Sequence, residues 1–223
     1  MSNIWYFEKV NLFDIFCPNK FGDFSNTDPF KYYKKDEFVY FSDDPASSIY
    51  LIADGKVKIL NYSADGEEII KGVLAKGEIF GELAILGEEK RTDFAQALND
   101  KTSICQLNLD QMQDLMKEDK SFALKINKLI GLRIMKLERR LDSLVFKDVR
   151  TRMVEFIREL ATERGEETDS VFHVQHDLTH KDIANLIGTT RQTVTTLLND
   201  LKKEGIIEFT RKTIQVNNMD RLA

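Results

Sequence analysis

Lys120–Leu144 reads KSFALKINKLIGLRIMKLERRLDSL, and the organisation of the whole chain follows from this stretch. It has no proline, and its single glycine, Gly131, is a modest cost to a helix. Ile130, Ile134, Leu137, Leu141 and Leu144 are spaced 4, 3, 4 and 3. That is the seam of a coiled coil, with Ile134 and Leu141 at a and the other three at d. A β-branched residue at a with Leu at d favours two parallel strands. Arg133 then falls at g and Glu138 at e, within reach of a bridge between two copies. One amphipathic helix packed on its own domain satisfies the same spacing, so the flanking sequence has to discriminate.

Composition narrows the classes. The chain has 223 residues, 42% of them hydrophobic, enough for one or two packed domains. No apolar run approaches the roughly 18 residues of a membrane span. The opening MSNIWYFEKVNL lacks the basic region and cleavage site of a signal peptide. Cys17 and Cys105 form no disulfide or zinc pattern. A cytoplasmic protein with reduced thiols and no membrane partner is expected. The net charge of −5 argues against general stickiness for nucleic acid but leaves room for a local basic face.

Ahead of the helix the texture is that of a β domain. An aromatic segment over residues 1–35 suggests a short helix around Val10, Leu12, Phe13 and Phe16, then a turn at Asn26–Pro29. From Glu37 to Leu109, short apolar runs (EFVYF, IYLI, VKIL, EIIKGVL, FAQAL, SICQL) are divided by turn signals. Such spacing predicts an antiparallel barrel or sandwich. Helix resumes over Leu109–Lys117.

Behind the helix, Asp148 is placed to cap a helix from Val149 to about Thr162, and ERGEETDS follows as a polar loop. Thr179-His-Lys-Asp182 then opens a helix in capping-box style, with Ile183, Ala184, Leu186 and Ile187 inward and Gly188 as its end. Thr189 or Thr190 caps a second helix with Val194, Leu197, Leu198 and Leu201 inward, which Gly205 stops. Two helices joined by a short glycine turn are a helix-turn-helix. Outward lie Arg191, Gln192, Thr195, Thr196 and Asn199, groups able to read guanine, adenine, a thymine methyl or a phosphate. A hairpin around Arg211-Lys212 would form a wing, and Thr179, Lys181, Thr190 and Lys212 complete the candidate DNA-binding set. Residues 148–223 carry 11 Lys+Arg against 13 Asp+Glu, which favours an ordinary solvated hairpin. The outward face of the second helix nevertheless has no acid before Asp200.

Phe80-Gly-Glu-Leu-Ala-Ile-Leu86, followed by Lys90-Arg91-Thr92, has the components of an anion site. Gly81 permits a tight turn into a short helix, Arg91 offers a charged fork of donors, Thr92 a hydroxyl, and Glu82 can accept from a ribose. A surface turn with a Glu82–Arg91 ion pair fits the same residues.

Two motifs carry a family resemblance. Thr190-Arg191-Gln192-Thr193-Val194, continued as TLLNDLKKEGIIE with RKTIQV beyond, resembles the winged helix-turn-helix of the CRP/FNR family of bacterial transcription factors. FGELAIL with Arg91-Thr92 resembles the phosphate-binding cassette of cyclic-nucleotide-binding domains. The likeness runs from about Phe13 to Val216, with both motifs in family order. It implies an α+β protein: an antiparallel β-roll over 1–119, a long dimerisation helix over 120–147 and a winged helix-turn-helix over 148–223. It also implies a homodimer that binds a palindromic DNA site and contacts RNA polymerase. By resemblance the cyclic phosphate meets Gly81, Leu83, Arg91 and Thr92, the 2′-hydroxyl meets Glu82, and Arg191 and Gln192 touch bases. Where cyclic-AMP-binding members carry a Thr-Ser pair on the long helix, this chain has Leu137 and Glu138, so the adenine contacts do not carry over. Clustered cysteines for an iron–sulfur centre are lacking, and no histidine precedes His173 to ligate haem. His173, His176 and His180 are expected as exposed or phosphate-facing imidazoles rather than metal ligands. No catalytic triad, carboxylate pair or Walker loop points to an enzyme. A non-nucleotide effector, or a C-terminal domain that binds protein instead of DNA, are the alternatives.

Overall fold

The computed structural model describes residues 30–222, and two compact units divide them between Met135 and Lys136, inside the long helix. The expected helix near Val10–Phe16, the Asn26–Pro29 turn and Cys17 lie outside the described residues.

The N-terminal unit contains strands β1 (Phe30–Tyr33), β2 (Phe38–Tyr40), β3 (Ser48–Asp54), β4 (Lys56–Tyr62), β5 (Glu68–Ala75), β6 (Ile79–Phe80), β7 (Phe94–Ala97) and β8 (Thr102–Asn108). They form two antiparallel sheets, ordered β1-β8-β3-β6 and β2-β7-β4-β5. Side chains that alternate along each strand fill the space between the sheets: Tyr40, Tyr50, Ile52, Val57, Leu74, Phe80, Ala95 and Ile104. β3 does not alternate in character, because both of its faces are buried. Ile49 and Leu51 point away from the interior of the roll. Together with Ile79 and Leu107 they receive Met112 of helix α1 (Leu109–Glu118) and Phe122, Ile126 and Leu129 of helix α2 (Lys120–Phe146). A capping box at Asn108, reciprocated by Gln111, starts α1. β1 falls inside the segment whose aromatics suggested a helical cap; it pairs with β8, Phe30 opposite Cys105.

The C-terminal unit begins with the end of α2. Asp148 then accepts the Thr151 amide at 2.8 Å and caps α3 (Val149–Arg164). β9 (Glu166–Thr168), β10 (Val171–Gln175), α4 (His180–Ile187), α5 (Arg191–Lys203), β11 (Ile207–Phe209) and β12 (Thr213–Val216) follow, and the strands order β11-β12-β10-β9. The ERGEETDS stretch is therefore not simply a polar loop. Asp169 (φ +51°) and Ser170 (φ +64°) are both left-handed and make a two-residue hairpin turn between Thr168 and Val171. Nothing in the sequence marks this hairpin, because such a turn is usually signalled by Asn-Gly and β9 has no apolar residue to mark it as a strand. Met153, Phe156, Ile157, Leu160, Ile183, Ile187, Val194, Leu198, Leu201, Ile207 and Val216 are buried in this unit.

Candidate functional site

In the N-terminal unit, a 3-10 helix (Glu82–Leu86) follows β6, and the chain returns through Arg91. Gly81 has φ +73°, and a Cβ there would lie 3.0 Å from Arg91 Nη1, so both the turn and the close approach need glycine. Arg91 is 2% exposed. It donates from Nη1 to the Gly81 carbonyl at 3.0 Å and from Nη2 to the Ser48 carbonyl. Its guanidinium lies 4.7 Å over the ring of Tyr40 and 5.7 Å over that of Tyr50, a cation–π seat that locates the charge. The Tyr40 hydroxyl donates to Asp93 Oδ1 at 3.0 Å, and Lys71 pairs with Asp93 Oδ2 at 3.0 Å. Burial, and then the Asp93 charge, push the Tyr40 phenol far above its ordinary range, so it stays a donor.

The expected alternative of a Glu82–Arg91 ion pair does not form. Glu82 pairs with Arg133 of α2, which also donates to the Ile79 carbonyl. The bridge foreseen between Arg133 and Glu138 of a second copy would have to take Arg133 from these partners. Glu88 is the acid that faces Arg91, at 3.6 Å from Nη1. Its other carboxylate oxygen accepts both the Thr92 amide (3.2 Å) and the Thr92 hydroxyl (2.8 Å). Leu83 is 40% exposed beside this turn. Gly81, Glu82, Leu83, Arg91 and Thr92 thus come together in one cradle. Ser48, Tyr40, Tyr50, Glu88 and Arg133 belong to it as well and were not foreseen. Only Glu88 had a signal in the sequence, three and four residues before Arg91 and Thr92.

In the C-terminal unit, Gly188 (φ +69°) closes α4, and Thr190 caps α5 by accepting the Thr193 amide at 3.1 Å. Arg191, Gln192, Thr196 and Asn199 are exposed along α5, as are Lys181 on α4 and Lys212 at the tip of the β11–β12 wing. Besides the Thr190 hydroxyl, which caps α5 and lies 2.9 Å from that of Thr193, two more members of the expected DNA set are engaged. The Thr179 hydroxyl donates to Asp182 at 2.6 Å. The Thr195 hydroxyl donates to the Arg191 carbonyl at 3.0 Å and lies 2.9 Å from His180 Nδ1. His173 is exposed and His180 half-buried, but His176 is buried, contrary to expectation. The chain continues the β10–β12 pairing by one residue there, and the His176 amide donates to the Lys212 carbonyl at 2.8 Å. Among the described residues no group of three His, Cys, Asp or Glu is placed to hold a metal ion.

Burial, and then the Arg191 charge, hold the His180 imidazole below its ordinary value. The folded unit therefore binds this proton less readily than the unfolded chain, and stability is lost as pH falls below about 6.5 toward the lower folded value. Urea midpoints should drop between pH 7 and 5.5, and drop less steeply in His180→Gln; identical slopes for the two proteins would exclude His180 as the source.

The five expected seam residues of α2 separate into two groups. Ile130 packs partly against the N-terminal core, and Leu144, 40% exposed, sits so close to Gly188 that a Cβ there would be 2.5 Å from Leu144 Cδ2. Ile134, Leu137 and Leu141 are 53%, 59% and 62% exposed. Leu124, Met135 and Val145 add further exposed apolar surface to the helix.

Known proteins share this combination. Residues 30–119 match the cyclic nucleotide-binding domain, and residues 151–223 match the Crp-like helix-turn-helix domain. The chain is 28% identical over 185 residues to a CRP-like cAMP-activated global transcriptional regulator of Mycobacterium tuberculosis, covering 83% of this chain and 82% of that one. It is likewise 28% identical over 187 residues to the global nitrogen regulator of a Synechocystis species, covering 83% of each. Among solved structures, a CooA variant from Carboxydothermus hydrogenoformans superposes with a TM-score of 0.74 at 28% identity, covering 86% of this chain and 85% of that one. FixK2 from Bradyrhizobium japonicum, at 24% identity, has the same fold, with a TM-score of 0.76 over 86% and 94% of the two chains. A cyclic nucleotide-binding domain joined to a Crp-like helix-turn-helix defines a transcription regulator rather than an enzyme. The chain belongs to the CRP/FNR family. No helix among the described residues is long and apolar enough to cross a membrane.

Proposed function

We propose that this regulator acts as a homodimer on a two-fold symmetric DNA site and answers to a cyclic nucleotide. The observation that carries the DNA half is the exposed face of α5, where Arg191, Gln192, Thr196 and Asn199 stand free of acids. Two such helices related by a dyad would enter successive major grooves about one helical turn apart. Lys181 and Lys212 would supply phosphate contacts at either side, and the capping residues Thr179 and Thr190 would serve through their helix N-termini rather than their hydroxyls. The effector half rests on the cradle: Arg91 and Thr92 suit a cyclic phosphate and Glu82 a ribose hydroxyl. Because Glu82 is paired with Arg133 of α2, an effector that draws on Glu82 also acts on the helix that carries the exposed apolar face. Leu137 and Glu138 leave the base unspecified, so cyclic AMP is one candidate among cyclic nucleotides.

Selection of a cognate operator from random duplexes, followed by fluorescence anisotropy, tests the DNA half. Arg191→Ala should cost about 1–3 kcal/mol on the cognate site and relax preference at one base pair. An equal loss on random DNA would show that Arg191 touches only the backbone.

A further inference from the structure

The donors that suit a cyclic phosphate in this cradle already have a tenant. Glu88 brings one oxygen to the Thr92 amide and hydroxyl at 3.2 and 2.8 Å, and the other to within 3.6 Å of Arg91 Nη1. One carboxylate thus meets a backbone N–H, a hydroxyl and a guanidinium, the set of groups that an anionic oxygen cluster recruits. The tenancy is held on the protein side. Gly87, left-handed at φ +93°, turns the chain, and the Glu88 amide donates to the Leu83 carbonyl at 3.2 Å. The side chain folds back from there and is only 13% exposed. Arg91 cannot retreat from it, because Gly81, Ser48 and the Tyr40 ring fix the guanidinium. Its Nε is buried without a hydrogen-bond partner, so the charge is not fully satisfied by the groups around it.

We propose that Glu88 is an internal competitor for the effector cradle, a carboxylate that a phosphate-bearing ligand must displace, and that this residue sets the effector concentration at which the regulator responds. The proposal rests on the cradle being the effector site. Displacement needs only rotation of the Glu88 side chain toward solvent; its backbone can stay on Leu83. Glu88 opposes a phosphate twice over, by holding the donors and by placing a like charge beside the incoming anion. A tenant that holds the cradle nine-tenths of the time weakens apparent affinity about tenfold.

The test is isothermal titration calorimetry of cyclic AMP and cyclic GMP into the full chain and into its Glu88→Ala and Glu88→Gln variants at one ionic strength. Glu88→Ala should bind at least about tenfold more tightly than the parent. Glu88→Gln should fall between them, because an amide oxygen still accepts from Thr92 but carries no charge. Since Glu88→Gln keeps the size of the side chain, it decides the matter even if the alanine variant folds poorly. A parent chain that binds with variants of equal or weaker affinity would overturn the competitor role alone. Failure of all three chains to bind either nucleotide would overturn the cradle as a cyclic-nucleotide site, and the competitor role with it.

Discussion

Arg152→Ala is expected to destabilise the C-terminal unit by about 3–4 kcal/mol, near the top of the range for a single substitution. Arg152 is 6% exposed on α3. Its Nε donates to the Ile187 carbonyl at 2.7 Å, Nη2 to the Gly188 carbonyl at 3.1 Å, and Nη1 to the Lys147 carbonyl at 2.6 Å. The first two acceptors are at the C-terminus of α4, and the third lies just past the end of α2. Both are places where helix carbonyls lack intrahelical partners and carry partial negative charge. One guanidinium therefore fastens the glycine turn of the helix-turn-helix to the junction after the long helix. Alanine would remove three charge-assisted bonds and leave three carbonyls to find water in a buried place. Urea denaturation followed by helical circular dichroism should show the loss. Arg152→Lys should recover only part of it, because an ammonium cannot fork to three acceptors set this way. A shift below about 1 kcal/mol in the alanine variant would mean that water replaces the arginine at little cost.

Arg152 also marks a boundary between what sequence pattern reveals and what it hides. The helix-turn-helix was readable because each local signal agreed with the next: the capping box at Thr179, the inward apolar set, the left-handed Gly188 and the cap at Thr190. Arg152 gave no such signal, since its partners are carbonyls 5, 35 and 36 residues away. The cradle divides in the same manner. Gly81, Glu82, Arg91 and Thr92 stand close together in sequence, whereas Ser48 and Tyr40 reach Arg91 only through the pairing of distant strands. Their closeness in sequence does not disclose their partners: Glu82 takes Arg133 and Arg91 takes Glu88. Spacing tells which charges can meet; burial and the route of the chain decide which do. β9 is hidden in the sequence for a different reason: a three-residue strand of exposed Glu, Glu and Thr carries no hydrophobic period at all.

The other large effect is expected on the exposed face of α2. Leu137→Glu combined with Leu141→Glu should leave the protomer folded yet convert a dimer into monomers of 25.8 kDa by sedimentation equilibrium. Both leucines are more than half exposed in the protomer, so little of its core depends on them. In a two-fold seam each would be buried by its counterpart, at about 1.5–3 kcal/mol per fully buried side chain. Four such leucines, replaced by four carboxylates facing one another in a desolvated seam, exceed what the remaining contacts of Ile134 and Val145 can offset. Ile130 and Leu144 would not compensate, because the N-terminal core and Gly188 already occupy them. Operator affinity should fall with the dimer by about 10²–10⁴, since the second half-site would no longer be bound at high effective concentration. Binding to a single half-site should be almost unaffected, because α5 and the wing lie elsewhere in the chain. A parent chain that sediments only as monomer, or a double variant that remains dimeric with its operator affinity intact, would show that this apolar face is not the seam.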